Sequence, residues 1–219
     1  MINNCIVTTH SLHLKQNFLY MKAMRFLLLA GVLLAGTQTY AQKVKLTEGN
    51  LDVVKGITKM NVIYNYNRMS VGKFDNEADY VKQKKDEYNK KEAGRGDAWE
   101  KAWVADRKNL FAPKFAELFT KYSNIELSEG HDQQYAIILN TISSEPGYDI
   151  YVSKKNAEID ATAFIVEAKN PAVVLAKISI DNAPGRIYTG NNYDTGVRLQ
   201  EAYATAGKAL GKFLSKEAK

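Results

Sequence analysis

The stretch YAIILNTIS at residues 135–143, read with AEIDATAFIVEA at 157–168 and AVVLAKISI at 172–180, decides the fold. The first segment is apolar almost throughout, the pattern of a central strand covered on both faces. In the second, Ile159, Ala161, Ala163 and Ile165 alternate with other residues, the period-two signature of a strand. Only Lys169-Asn170-Pro171 separates it from the third, so the pair reads as an antiparallel hairpin. Glu145-Pro146-Gly147 turns the chain after the first segment, and Asn182-Ala183-Pro184-Gly185 ends the third.

Upstream, residues 42–57 read as a strand and a turn at Gly49-Asn50. Met60, Val62, Tyr64 and Tyr66 then alternate with Asn61, Ile63, Asn65 and Asn67, which makes a half-buried strand. From Asn76 the period becomes helical. Asn76 is a natural N-cap, with Glu77 and Asp79 in the first turn. Gly94-Arg95-Gly96 breaks this helix. Asp97 opens the next, with Glu100 at capping-box spacing and a stripe of Trp99, Ala102, Trp103 and Leu110. Pro113 suits a third start, ahead of Phe115, Leu118, Phe119 and Tyr122. A short strand follows at Ile125–Leu127. From about Asp194 to Ser215 a last helix carries Val197, Leu199, Ala202, Tyr203, Ala206, Leu210, Phe213 and Leu214, with Gly196, Gly207 and Gly211 recurring along it. Each glycine costs roughly 1 kcal/mol in a helix interior, so their number points to close packing against the sheet. Residues 42–219 therefore read as one α+β domain with a helical insertion at about 76–108. Its largely antiparallel mixed sheet, about five to six strands, packs with a central helical block and a C-terminal helix.

The first residues carry a different pattern. Met21-Lys22-Ala23-Met24-Arg25 is a short basic start, and Phe26–Ala35 is apolar apart from Gly31. Small residues at Thr39 and Ala41 complete a secretory signal over residues 21–41, with cleavage between Ala41 and Gln42. The apolar run falls short of the about 20 residues that span a bilayer. Residues 1–20 show no periodic pattern, which points to Met21 or Met24 as the true start. The one cysteine, Cys5, precedes the signal, so the expected mature chain has no disulfide, no thiol nucleophile and no lipid-anchoring cysteine. Removing Lys15, Lys22 and Arg25, with no acid, lowers the formal charge from +6 to +3. Mixed charge of that size is a solvated surface and not a nucleic-acid footprint. The expectation is a periplasmic or secreted protein of a Gram-negative bacterium.

Candidate chemistry is sparse. His131, the sole histidine after residue 41, lies in the polar turn Glu129-Gly130-His131-Asp132. It could serve as a general base for a small hydrolase, but a lone histidine is a poor metal site; no metal and no cofactor are expected. No G-x-S-x-G elbow supports Ser143 or Ser144 as a nucleophile. No carboxylate pair stands out, although Glu100 and Asp106 flank the tryptophan helix. Arg95-Gly96-Asp97 is explained by helix ends. Trp99 and Trp103, four apart, form either core or a glycan-stacking face. The loop from Gly185 to Asp194 offers Arg186, Tyr188, Asn191, Asn192 and Tyr193 to a partner just before a helix start.

The elements at about 111–215 resemble a group of bacterial envelope α/β domains. The group includes the TolB amino-terminal domain, the curli secretion channel lipoprotein and the lipoprotein activators of penicillin-binding proteins. The resemblance rests on a helix, a strand like YAIILNTIS, a hairpin like AEIDATAFIVEAKNPAVVLAKISI, and a closing helix like GVRLQEAYATAGKALGKFLSK. That group's lipobox cysteine is absent, and the charged segment at 76–108 is unusual for it. The resemblance implies an exported domain that binds other envelope proteins without catalysis. The expected function is therefore a non-enzymatic envelope protein with a protein partner. A carbohydrate-binding or glycan-processing protein is the alternative, and a small hydrolase using His131 is the third.

Overall fold

The computed structural model describes residues 42–150, 152–186 and 194–217. The chain forms β1 (Lys43–Gly49), β2 (Lys59–Asn65), β3 (Ser70–Val71), α1 (Glu77–Lys91), α2 (Arg95–Asp106), α3 (Ala112–Ser123), β4 (Glu126–Ser128) and β5 (Tyr135–Glu145). It continues through β6 (Tyr148–Ile150), β7 (Ser153–Lys155), β8 (Ala157–Glu167), β9 (Asn170–Gly185) and α4 (Thr195–Glu217). A seven-stranded sheet runs in the order β1-β9-β8-β5-β2-β4, with β3 also beside β5. β1, β9, β8 and β5 are antiparallel from each strand to the next, whereas β2 and β3 lie parallel to β5 and β4 lies parallel to β2. The α+β class and the central place of β5 agree with the sequence pattern.

Two details of the strands differ from it. β5 sends Ile137, Leu139 and Thr141 into the core, all at 1% exposure or less. On the other face Ile138 and Phe164 are only half-buried against Ala136, Val166 and Ala168, and Ile142 is exposed. The apolar run thus reflects a thin second cluster and not a second helical layer. β9 also does not stop at Asn182. The Asp160 carboxylate accepts the Asn182 N–H at 2.7 Å and the Ser143 hydroxyl at 2.7 Å. Asn182 adopts φ 55°, and pairing resumes beyond this bulge as far as Gly185.

The helices also depart from the expected breaks. Asn76 caps α1 by accepting the Asp79 N–H at 3.0 Å, and Gly94, at φ 80°, separates α1 from α2. However, α2 begins at Arg95, and Glu100 serves Lys85 in place of a capping box. Pro113 does not interrupt the helix. A π-helical turn, Arg107–Phe111, joins α2 to α3, and the proline sits in the first turn after it. Such a turn inserts one residue and rotates the following face. Trp103 accordingly points to α1, while Phe111 stacks on Tyr203 of α4 at 4.8 Å.

α3 and α4 meet through glycine. A Cβ at Gly207 would collide with the Phe115 carbonyl, and one at Gly211 would lie 2.6 Å from the Phe119 carbonyl. Matching steps of four residues on both helices make them run parallel. The glycines therefore bring α4 onto a helix, where the sequence suggested the sheet. Leu199, Ala202, Tyr203, Ala206, Leu210 and Leu214 bury the remaining stripe. Phe115 and Phe119 are fully buried beneath, each worth about 2–3 kcal/mol of burial.

The first turn of α4 is crowded in a similar way. Asp194 caps it by accepting the Gly196 N–H at 2.7 Å, and Gly196 leaves no room for a Cβ beside the Asp106 carboxylate. Burial, and secondarily the charge of Asp194, push Asp106 up to about 6.

Gly207→Ala is expected to lower stability by about 2 kcal/mol in urea unfolding, although alanine is the better helix former by ~1 kcal/mol. Asp106 gives a second test. Because its folded pKa lies above the unfolded value, its protonated form contributes stability at about pH 4 and below. That contribution is lost as pH rises through about 6. Asp106→Asn should therefore exceed the wild type by about 1 kcal/mol near pH 8, a figure reduced for solvent screening and for the opposing helix dipole. The two proteins should converge near pH 4 in parallel thermal melts.

Candidate functional site

The helical insertion builds a cleft against one end of the sheet. α1 presents Tyr80, Lys84 and Tyr88, spaced by four and so on one face. α2 adds Trp99, the turn after β5 and strand β6 add Pro146 to Ile150, and α4 adds Thr195 and Arg198. Together they enclose about 230 Å³.

Contacts between α1 and α2 fix the aromatic floor. Gly96 lies so close to α1 that a Cβ would collide with the Lys85 carbonyl, and its N–H donates to Asn89 Oδ1 at 2.7 Å. Lys85 bridges Asp97 at 2.9 Å and Glu100 at 2.8 Å, and hydrogen bonds to these carboxylates, Glu100 first, push its pKa up. In this frame the Trp99 ring lies 5.7 Å from Tyr88, 5.9 Å from Tyr80 and 5.6 Å from the stacked Trp103. Trp103 is 4% exposed, and its Nε1 donates to Glu77 at 2.6 Å. Glu77 also pairs with Arg107. Trp103 is therefore core, whereas Trp99 and Tyr88 are half-buried and Tyr148 is exposed at the rim. Tyr80 is buried, which pushes its hydroxyl pKa up.

The opposite wall depends on Arg198, 6% exposed. Its guanidinium donates to the Pro146 carbonyl at 3.0 Å, the Gly147 carbonyl at 3.2 Å and Thr195 Oγ1 at 3.0 Å. Burial lowers its pKa, opposed by nearby groups led by Asp194. The arginine thus fastens the β5–β6 turn to α4. Lys84 and Asp149 bring charge to the cleft while pairing with Glu87 at 3.0 Å and Lys154 at 3.8 Å. Aromatic faces beside a few fixed polar groups can hold an amphipathic ring and orient its hydroxyls.

The other candidates fall elsewhere. His131 is exposed on a loop that Asn61 holds: Asn61 donates to Asp132 Oδ1 at 3.0 Å and accepts the Gln133 N–H at 2.9 Å. Asn61 is thus fully buried rather than solvent-facing. Ser143 donates to Asp160 and Ser144 is buried, so neither has a histidine partner. Glu100 and Asp106 are engaged separately, by Lys85 and by the α4 turn. Arg95 lies over the Tyr88 ring at 5.4 Å and Asp97 pairs with Lys85, so the Arg-Gly-Asp triplet joins helices. Arg186 is exposed at the end of β9; Tyr188, Asn191, Asn192 and Tyr193 lie outside the described residues. Tyr88, Tyr148 and Arg198 were not singled out by sequence. Arg198 did leave a trace, since it shares its helical face with Ala202 and Ala206.

Among the described residues no cluster of three or more His, Cys, Asp and Glu side chains could hold a metal ion. No described helix is long and apolar enough to cross a membrane.

No protein-family model and no curated protein matches the chain. Among solved structures it is similar to the PelC dodecamer from Paraburkholderia phytofirmans in space group P6, at 12% identity and a TM-score of 0.39, over 82% of this chain and 99% of that one. A variant of the same PelC dodecamer in space group C2 aligns at 10% identity and a TM-score of 0.38, over 78% of this chain and 98% of the other.

Proposed function

We propose that this chain is an exported, non-enzymatic binding protein of the bacterial cell envelope, and that the cleft between α1, α2 and β6 receives a sugar ring of an envelope glycan. The half-buried Trp99 ring, backed by Trp103 and flanked by Tyr88, is the observation that carries this reading. Stacking on such a ring favours the apolar C–H face of a sugar, while Lys84, Asp149 and Thr195 stand ready for its hydroxyls. The signal-like pattern at residues 21–41 supports export, and the resemblance of residues 111–215 to envelope domains supports the compartment.

A protein partner is the second reading, favoured by one feature. The β6–β7 hairpin exposes Tyr148 at 43%, Ile150 at 53% and Val152 at 84%. Apolar groups this open, gathered on one hairpin, suit contact with another protein.

The readings separate by mutation. In calorimetric titrations with neutral oligosaccharides, including peptidoglycan fragments, Trp99→Ala should weaken binding at least tenfold, about 1.4 kcal/mol, with circular dichroism unchanged. Val152→Asp, on the same hairpin but outside the cleft lining, should leave that binding intact. No glycan binding by the folded wild type, together with envelope cross-links lost in the hairpin variant, would replace the first reading with the second. Export has its own test. Amino-terminal sequencing of the protein recovered from the periplasm or medium should begin at Gln42, and an uncleaved cytoplasmic chain would overturn it.

A further inference from the structure

A second groove lies on the solvent side of the α3–α4 pair. Its volume is about 580 Å³, and its lining includes Lys114 and Leu118 from α3, Thr205 and Lys208 from α4, and Arg186 at the end of β9. The line of positive charge extends one turn further. Around the half-buried Tyr122 ring stand Lys212 at 5.1 Å, Lys208 at 5.3 Å and Lys121 at 6.0 Å.

The charge here is unbalanced. Among the described residues, none of Arg186, Lys121, Lys208 and Lys212 forms an ion pair, and Lys114 pairs with Glu117 at 2.9 Å. Glu201 is the acid among the groove's described lining residues. Lys208 and Lys212 are one helical turn apart, a like-charge placement that disfavours the helix. Cations on both walls of a concave surface add their fields in the space between them.

We infer that this groove is a separate binding site for a linear polyanion, and specifically for a glycan chain bearing carboxylates. The groove follows α4 from Glu201 to Lys208 and the cationic line continues to Lys212, together roughly 17 Å at helical rise, long enough for several consecutive residues of an extended polymer. Its floor includes the small Ala204 and Thr205, which a chain can reach and a flat bilayer cannot. Tyr122 adds an aromatic edge for sugar rings within the ring of ammonium groups. The inference shares with the proposed function the choice of glycan as polymer class, but it uses no residue of the aromatic cleft.

The test is calorimetric binding of the full chain to polygalacturonate at low and at physiological salt. Neutral dextran, single-stranded DNA and phosphatidylglycerol vesicles serve as comparison ligands. Polygalacturonate should bind more tightly than any of these and weaken as salt rises. Lys208→Glu with Lys212→Glu should weaken it at least tenfold, and the charge-neutral Lys208→Gln with Lys212→Gln should do so less. Both variants should keep the wild-type circular dichroism and melting temperature. Trp99→Ala should leave polygalacturonate binding unchanged, so failure of the aromatic cleft and failure of this groove are read separately. No binding by the folded wild type, equal or tighter binding to DNA or vesicles, or an unaffected Lys208→Glu, Lys212→Glu protein would each overturn the inference.

Discussion

Parallel contact between α3 and α4 at backbone distance is the constraint on which the rest depends. Two helices normally keep 8–10 Å between axes because side chains hold them apart. Gly207 and Gly211 remove those side chains opposite the Phe115 and Phe119 carbonyls. Both helices can then share one face of the sheet, with the two phenylalanines pressed fully into the core. The π-helical turn at Arg107–Phe111 makes this contact compatible with α2. It lets one continuous rod show Trp103 to α1 and, further on, Phe111 to Tyr203.

From that contact the cleft follows. With α4 fixed, Arg198 meets the carbonyls of Pro146 and Gly147 and draws the β5–β6 turn onto the helix. With α2 fixed, Gly96 and Lys85 hold α1 across it. The aromatic floor and the polar wall come from segments far apart in the chain, and the long side chains that hold them, Lys85 and Arg198, are each fixed by more than one partner. Buried arginine is costly unless its donors are satisfied, and the named oxygens supply that satisfaction. Preorganisation of this kind limits the entropy lost when a ligand enters.

Much of the fold was legible in the sequence because its signals are local. Alternation at 157–168 and 172–180 marks the hairpin, the Asn76 cap opens α1, and the stripe from Val197 to Leu214 marks α4. What could not be read depends on pairing. A glycine says that something comes close, but not whether it is sheet or helix. Asn61 alternates like a solvent-facing residue, and only the distant loop at Asp132 and Gln133 gives it a buried role. A π-turn leaves no periodic trace in so short a window, so Pro113 read as a break. Of the site, Trp99 and Trp103 stood out as a pair. Their division into cleft and core rests on Glu77, which meets Trp103 from another helix.

The position of β1 has a consequence for how the chain acquires its structure. Among the described residues β1 pairs with β9 alone, and a contact such as Thr47 to Lys177 spans 130 residues. One rim of the sheet therefore stays open until nearly the whole polypeptide is present. Chains governed by such distant pairings fold slowly, because loop closure precedes the reward of contact. A nascent chain of this design completes its sheet only after Asn170–Gly185 has been made, late in synthesis.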